Sequence, residues 1–303
     1  MTRFLVLLLA LLAIAPAAIA DDGLQRFERE IRPQLDVQKL TYGKGEALGD
    51  QGFALSDVVA VMPPSPETGN KPSAIRIDKV TVDAIDFDRL KESSEDLPRF
   101  VKAKFEGVTA DDNAARSLAA YGLPKVPADL VLDYRLDSAT KRLILNTLEI
   151  NLRDQGRVSL SLVLDGIDGK ASDVNGAQDS GRLQSASLVI DDKGLIAHVL
   201  AANAKAQGAQ PEGLVSLALM TIATLAGQQD AESIKAFDAV ASFVGDWKAP
   251  KGPITINLTP TKGMSMADLG ELMAPNALRQ ILGLQVTYAG TRPGAAVAGP
   301  PAK

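Results

Sequence analysis

The chain has 303 residues, 46% of them hydrophobic and 4% aromatic, with a net charge of -5, one histidine and no cysteine. The missing cysteine excludes disulfides, thiolate metal sites, cysteine nucleophiles and a lipid-modified N-terminal cysteine, and the lone histidine excludes multi-histidine zinc sites. Acidic and basic residues are interspersed without a basic stripe, so neither nucleic acid nor an anionic membrane surface is the predicted partner.

Met1–Arg3 is a short positive start, Phe4 to Ala15 is an unbroken apolar run, Pro16 breaks it, and Ala18-Ile19-Ala20 precedes Asp21-Asp22. This is the pattern of a secretory signal peptide, residues 1–20, cleaved after Ala20. The run is shorter than the roughly 20 residues a spanning helix needs, so the expectation is an exported, periplasmic protein with no stable membrane anchor. A mature chain of about 280 residues can bury a large core without disulfides.

Residues 36 to 190 read as strand-rich. Asp36 to Tyr42 and Phe53 to Val61 are strands, and Met62 to Pro72 is a Pro/Gly/Ser-rich loop. From Ile75 to Phe87 the apolar phase moves from odd (Ile75, Ile77) to even (Val80, Val82) and back (Ile85, Phe87). A one-residue slip flips faces, which predicts bulges or a bend. Phe100 to Thr109 is the next strand, and Asp111-Asp112-Asn113 caps a short helix running to Tyr121.

Residues 128 to 165 carry the clearest signal. Leu130, Leu132, Tyr134 and Leu136 alternate with Asp129, Val131, Asp133 and Arg135; Leu148, Ile150 and Leu152 alternate with Glu149, Asn151 and Arg153; Val158, Leu160, Leu162 and Leu164 alternate with Ser159, Ser161 and Asp165. Short turns separate the three runs, which predicts an antiparallel meander with one apolar face that must be covered. Asp165 to Gly181 reads as a polar loop, and Leu183 to Ile190 as another strand.

Residues 195 to 289 are helix-rich. Helices are predicted over Leu195–Ala204, Pro211–Ala226 and Asp230–Val244, a strand over Ile254–Leu258, short helices over Met266–Met273 and Asn276–Leu282, and a strand over Gln285–Tyr288. The 211–226 helix is apolar nearly all round, which reads as a central core helix or the wall of an apolar cavity. Residues 291 to 303 lack apolar bulk and read as a disordered tail.

No arrangement of chemistry-bearing residues stands out. His198 lies in a helical run with no triad partner motif. Ser138-Ala139-Thr140-Lys141 matches S-x-x-K but lies in a hairpin turn, and its third element, Thr261-Lys262-Gly263, has the wrong order. Asp165, Asp168, Asp173, Asn175 and Asp179 crowd one loop without the glutamate that closes a calcium site. Gly43-Lys44-Gly45 lacks phosphate-loop spacing. Asp129 and Asp133 share a strand face and could cooperate as a carboxylate pair.

The strand pattern L-x-L-x-Y-x-L, an Asp-bearing turn, L-x-I-x-L and V-S-L-S-L-x-L-D-G, behind an export signal, resembles AsmA-like and other exported envelope proteins of the β-meander type. The resemblance implies an envelope, lipid-handling role and carries no catalytic residues. The resulting expectation is one α+β domain over residues 21–290, an antiparallel bent sheet with one face covered by helices of the C-terminal half. Its predicted function is non-enzymatic binding or shuttling of a lipid or other apolar ligand. Leu160 and Leu162 of the sheet and Leu214, Leu217, Met220, Ile222 and Phe237 of the helices are the expected contacts, with no cofactor and no metal. The alternatives are an envelope scaffold acting through protein contacts and a carboxylate-based hydrolase.

Overall fold

The computed structural model describes residues 21–92, 96–115, 122–169, 181–265 and 277–297. The expected export signal at 1–20, the expected 266–273 helix, most of the Asp-rich stretch and the last part of the expected 111–121 helix lie outside the described residues.

Eleven strands form one antiparallel sheet whose spatial order follows the chain. They are β1 (Lys39–Thr41), β2 (Lys44–Ala47), β3 (Phe53–Ser65), β4 (Lys71–Ile85), β5 (Phe100–Ala110), β6 (Ala128–Asp137), β7 (Arg142–Leu152), β8 (Gly156–Asp165), β9 (Arg182–Asp192), β10 (Ile254–Leu258) and β11 (Gln285–Tyr288). β2 pairs with β3 beside β1. The helices are α1 (Gly23–Arg26), α2 (Phe87–Glu92), α3 (Leu195–Ala206), α4 (Pro211–Ala226), α5 (Ala231–Gly245) and α6 (Ala277–Gln280). After α1 the chain continues through a wide turn at Phe27–Ile31 and a tight one at Arg32–Gln34. This is the α+β meander that the alternating runs predict.

Cross-strand partners share a face, so the register shows what the alternation builds. Leu132 pairs with Ala103 and Leu148, Leu148 with Leu160, Leu160 with Leu188, and Leu188 with Ile256. In the other direction Ala103 pairs with Val82, and Val82 with Phe53. One apolar face therefore runs without interruption across the sheet, while Asp129, Asp133, Glu149, Asn151 and Ser159 lie on the other.

The two phase slips of Ile75–Phe87 are both present. At the first, Leu55 and Val58 of β3 lie opposite Val80 and Ile77 of β4, so both strands step by three residues at one level. Asp57 makes the step at φ 54 and Gly107 of β5 makes it at φ 66. Glycine is required at 107, because a Cβ there would lie 1.9 Å from Asp78 Oδ2. Since β3 and β4 flip together their pairing is kept, and the register shift is passed to β5–β6, between Phe105 and Val108. The second slip is a bulge between Val82 and Ala84.

The apolar face is covered at its two ends. At the first, the segment from Gly23 to Gln34, in which the alternation gave no signal, packs Phe27 on Phe53 (centroids 4.5 Å apart) with Phe87 behind. Leu55, Val58, Val80 and Val82 are buried beneath. At the other end α5 lays Ala239 and Phe243 over Ile254 and Tyr288, with Phe243 edge-on to Tyr288 at 5.3 Å. α5 starts at an N-cap, Asp230, whose carboxylate accepts the Ser233 N–H at 2.7 Å.

Three local expectations are corrected. β3 runs on through Pro63-Pro64, and the loop contracts to residues 66–70. β1 reaches no further than Val61 on one side, and on the other the β3–β4 register shifts between Met62 and Ser65, so the two prolines sit outside regular ladder pairing. α4 is not a central core helix: it packs chiefly on α5 and α3, and only Val215 and Ala226 are fully buried. The expected disordered tail is docked over residues 291–297. Both carboxylate oxygens of buried Asp238 accept backbone N–H groups, from Gly294 and Ala296, at 2.8 Å each. Arg292 reaches Asp246 at 2.7 Å and donates its backbone N–H to Ser242 Oγ at 2.8 Å. Apolar bulk was the wrong criterion, because polar anchors on α5 hold this segment. Residues 298–303 lie outside the described residues.

Candidate functional site: an open apolar trough

Between the covered ends, no described element fully covers the apolar face of β6, β7 and β8. Leu130, Leu132, Leu143, Leu145, Val158, Leu160, Leu162 and Leu164 are only half-buried, and Leu148 and Ile150 are 36% and 42% exposed. Leu136, at one end, is the exception and is buried. The local cause is in the sequence: three runs that alternate leucine-class residues with polar ones and are joined by short turns must all face the same way. The helices are spent on the β9–β11 end, where Ile190, Ile254, Ile256 and Tyr288 take α5.

The two ends of the trough differ. Where β6 begins and β7 ends, α3 crosses: Gly122 lies against His198 to Ala202, so closely that a Cβ there would sit 2.6 Å from Ala202 Cβ. At the opposite end Gly169 lies against Leu136, Ile167 is buried, and the Leu97 N–H donates to Gly169 O at 2.7 Å. Polar groups gather there. Arg99 donates from Nε and Nη2 to Asp86 at 2.5 and 3.0 Å, and Arg89 donates to Ser138 Oγ at 2.9 Å and Gly169 O at 3.3 Å. A cleft of about 340 Å³ opens among Arg89, Asp96, Arg99 and Ser138. The bond from Arg99 holds the Asp86 carboxyl below its ordinary range, against its burial.

Tyr134 is the one polar side chain of the β6 apolar face, two residues before Leu136. Burial pushes its phenol up to about 12, the Asp86 charge adding and the Arg89 charge opposing.

Of the residues expected to form one ligand site, Leu160 and Leu162 lie on the trough floor as paired neighbours of Leu148 and Leu145. The helical residues are elsewhere. Phe237 and Ile222 pack with Ala226, Ala241 and Ala296 in a separate α4–α5 cluster, Leu214 is half-buried, and Leu217 and Met220 point outward, 61% and 56% exposed. The structure does not bring these two groups together, because α5, not α4, meets the sheet. Sequence reasoning passed over Tyr134 and Arg89. A single phenol in a leucine-repeat strand was the available signal for the first; the second comes from α2, which carries no periodicity.

The other candidates are engaged locally. Asp129 takes a two-point bond from Arg153 (2.7 and 3.1 Å) and the Gly107 N–H at 2.8 Å. Arg153 keeps its carboxyl low, so it holds the β5 step in place and is a poor proton donor at neutral pH. Asp133 accepts from Asn146 at 3.0 Å. Both lie on the polar face, away from the trough. Asp165 pairs with Arg142 and Asp168 with Lys141; Asp173, Asn175 and Asp179 lie outside the described residues. Ser138 and Lys141 sit in a turn, Lys141 at φ 52, Lys44 and Gly45 form part of β2, and His198 is exposed on α3. Among the described residues no group of three His, Asp or Glu side chains is placed to hold a metal ion.

No curated protein matches the chain. A protein-family profile described only as "Uncharacterized protein" matches residues 149–289, from the second half of β7 to the end of β11, and so includes half of the trough and all the helices of the C-terminal part.

Proposed function

We propose that this protein is a non-enzymatic carrier of an apolar ligand, a lipid of the cell envelope, which it holds against the open face of β6–β8. One observation carries the reading: three adjacent strands present a continuous Leu/Ile/Val face that no described element covers fully, between two ends that are covered. Ten-residue strands span about 33 Å, and three of them about 14 Å across. The open area is then on the order of 450 Å², within the range of the largest, often functional, patch on a soluble monomer. Its width suits an extended hydrocarbon chain better than a globular partner. The outer strands β1, β2 and β11 are three or four residues long, which disfavours assembly through sheet edges. The export signal at residues 1–20 and the likeness of the 128–165 meander to AsmA-like proteins point the same way.

Native mass spectrometry of protein purified from its host tests the reading. The expected result is a lipid adduct on the wild type that is lost in Leu160→Asp and Leu162→Asp variants with unchanged far-UV circular dichroism. A wild-type protein that carries no adduct and binds no uncharged apolar fluorophore refutes it.

A second reading, an envelope scaffold, has its own support in the outer face of α4, where Leu217, Met220 and Leu225 are exposed. Photo-crosslinking from positions 217 and 220 in the living host distinguishes it: a specific protein adduct there, with no lipid in the trough, favours the scaffold.

A further inference from the structure

We infer that the outer face of α4 is a lipid-docking surface, by which the protein lies reversibly on the plane of an uncharged bilayer. The inference stands on α4 and its neighbours and does not depend on a ligand in the trough.

The place of α4 in the fold is the first support. The helix packs chiefly on α5 and α3 rather than on the sheet, so it forms an outer layer at the β9–β11 end. Leu217, Met220 and Leu225 point away from the protein, 61%, 56% and 45% exposed. At 16 residues α4 is too short to cross a bilayer. The chain also bends by 103° between α3 and α4, so the two do not join into one span. A helix with these properties lies in the interface, its apolar side about 5–10 Å deep.

The chemistry of the face favours lipid over the protein partner that a scaffold would need. No ionisable residue occurs from Gly213 to Gln229, and the one charge of α4, Glu212, is paired with Lys248 at 2.7 Å. The exposed hydroxyls are satisfied within the helix: Thr221 donates to Leu217 O at 3.0 Å and Thr224 to Met220 O at 2.9 Å. Hydrocarbon laid against them would strand no donor. The face is also small. A helix about 24 Å long and about 10 Å wide offers on the order of 240 Å², against roughly 800 Å² per partner in a standard protein interface. A bilayer sets no such minimum.

The third support lies at the N-terminal end of α4. Lys248, which pairs with Glu212, sits 5.0 Å from the centre of the Trp247 ring. The only tryptophan of the chain is thereby held beside the start of the apolar face. Indole rings collect at the boundary between headgroups and hydrocarbon, and a lysine beside one reaches outward to water. The net charge of -5, without clustered basic residues, directs docking to an uncharged rather than an anionic surface.

Trp247 also supplies the test, because as the sole indole its fluorescence reports from this site. Protein purified from its host is titrated with phosphatidylcholine vesicles whose acyl chains carry bromine at defined depths. The expected result is quenching of the wild type, strongest for the shallowest bromines. Leu217→Asp and Met220→Asp, each checked for folding by circular dichroism, should need about tenfold more lipid for half-quenching, the worth of one apolar side chain removed from water. A wild type that is not quenched, or variants quenched like the wild type, overturns the inference. A dimer in analytical ultracentrifugation that Met220→Asp dissociates overturns it in favour of a second copy of this chain. A specific protein photo-adduct from position 217 without quenching overturns it in favour of the scaffold. The trough is tested separately, by the lipid adduct and its loss in Leu160→Asp and Leu162→Asp.

Discussion

Phe27→Ala probes the cover over the first end of the sheet. Phe27 is 5% exposed and stacks on Phe53 at 4.5 Å, with Phe87 behind at 6.4 Å from Phe53. Truncating a buried phenylalanine costs about 3–5 kcal/mol, the upper part of the range applying where the site cannot collapse. It cannot collapse here: Gly23 is pressed so closely on Gly52 that a Cβ would lie 2.0 Å from its carbonyl oxygen, and the Gly23 N–H donates to Gly49 O at 2.8 Å. The backbone of this segment is pinned to the sheet on one side, so the cavity stays open. We therefore expect a loss of about 4 kcal/mol. With an unfolding entropy near 2.1 cal/mol/K per residue over about 280 residues, this lowers Tm by about 7 °C. Calorimetry and urea unfolding measure it, and the double variant Phe27→Ala/Phe53→Ala should cost less than the sum of the single ones by about 1 kcal/mol, the worth of an aromatic pair. A fall in Tm below 2 °C, or strict additivity, would mean that residues 23–34 are not packed on the sheet as described, and the trough would then extend over β3 and β4.

Asp238→Asn leaves one acceptor where the Gly294 and Ala296 N–H groups need two; it should cost about 1–3 kcal/mol and speed hydrogen exchange at residues 292–297 while β6–β8 are unaffected. Stability should fall in acid: Arg99 lowers the folded pKa of Asp86, Arg153 that of Asp129 and Arg142 that of Asp165. Their contribution is therefore present above the unfolded value, about pH 3.9, and lost as pH drops below it; Asp86→Asn should flatten that acid limb in a urea-unfolding series. Tyr134 acts in the opposite sense. Its folded pKa is raised to about 12, so stability is retained below the unfolded value of about 10 and lost above it, a loss that Tyr134→Phe should diminish. On α4, Leu217→Ser and Met220→Ser should each change stability by less than about 0.5 kcal/mol, since both side chains point outward; a larger loss would show that α4 is covered.

Much of the architecture is legible from residue 36 to 288, because strand alternation and helical periodicity are local signals. The meander of β6–β8, the helices α3 to α5, the Asp230 cap and the two slips between Ile75 and Phe87 all come from patterns a few residues long. The 23–34 segment and α2 carry no such pattern, and they are the elements that bury the first end. The candidate site divides in the same way. Leu160 and Leu162 are readable as members of an apolar strand face, and the apolar character of α4 is equally plain.

Which apolar surface meets which is decided by packing alone. An all-apolar helix looks like a core helix from its composition, yet α5, the more amphipathic neighbour, takes the sheet and leaves Leu217 and Met220 outside. The 291–297 segment, poor in apolar bulk, docks through two N–H groups and one carboxylate 56 and 58 positions earlier in the chain, a pairing no local pattern contains. By itself the sequence determined a leucine-lined sheet face that needs a cover. Only the tertiary structure decided that, among the described residues, the cover reaches the two ends of the sheet and leaves β6–β8 half-buried, because α5 is spent on the β9–β11 end and the 23–34 segment on the first.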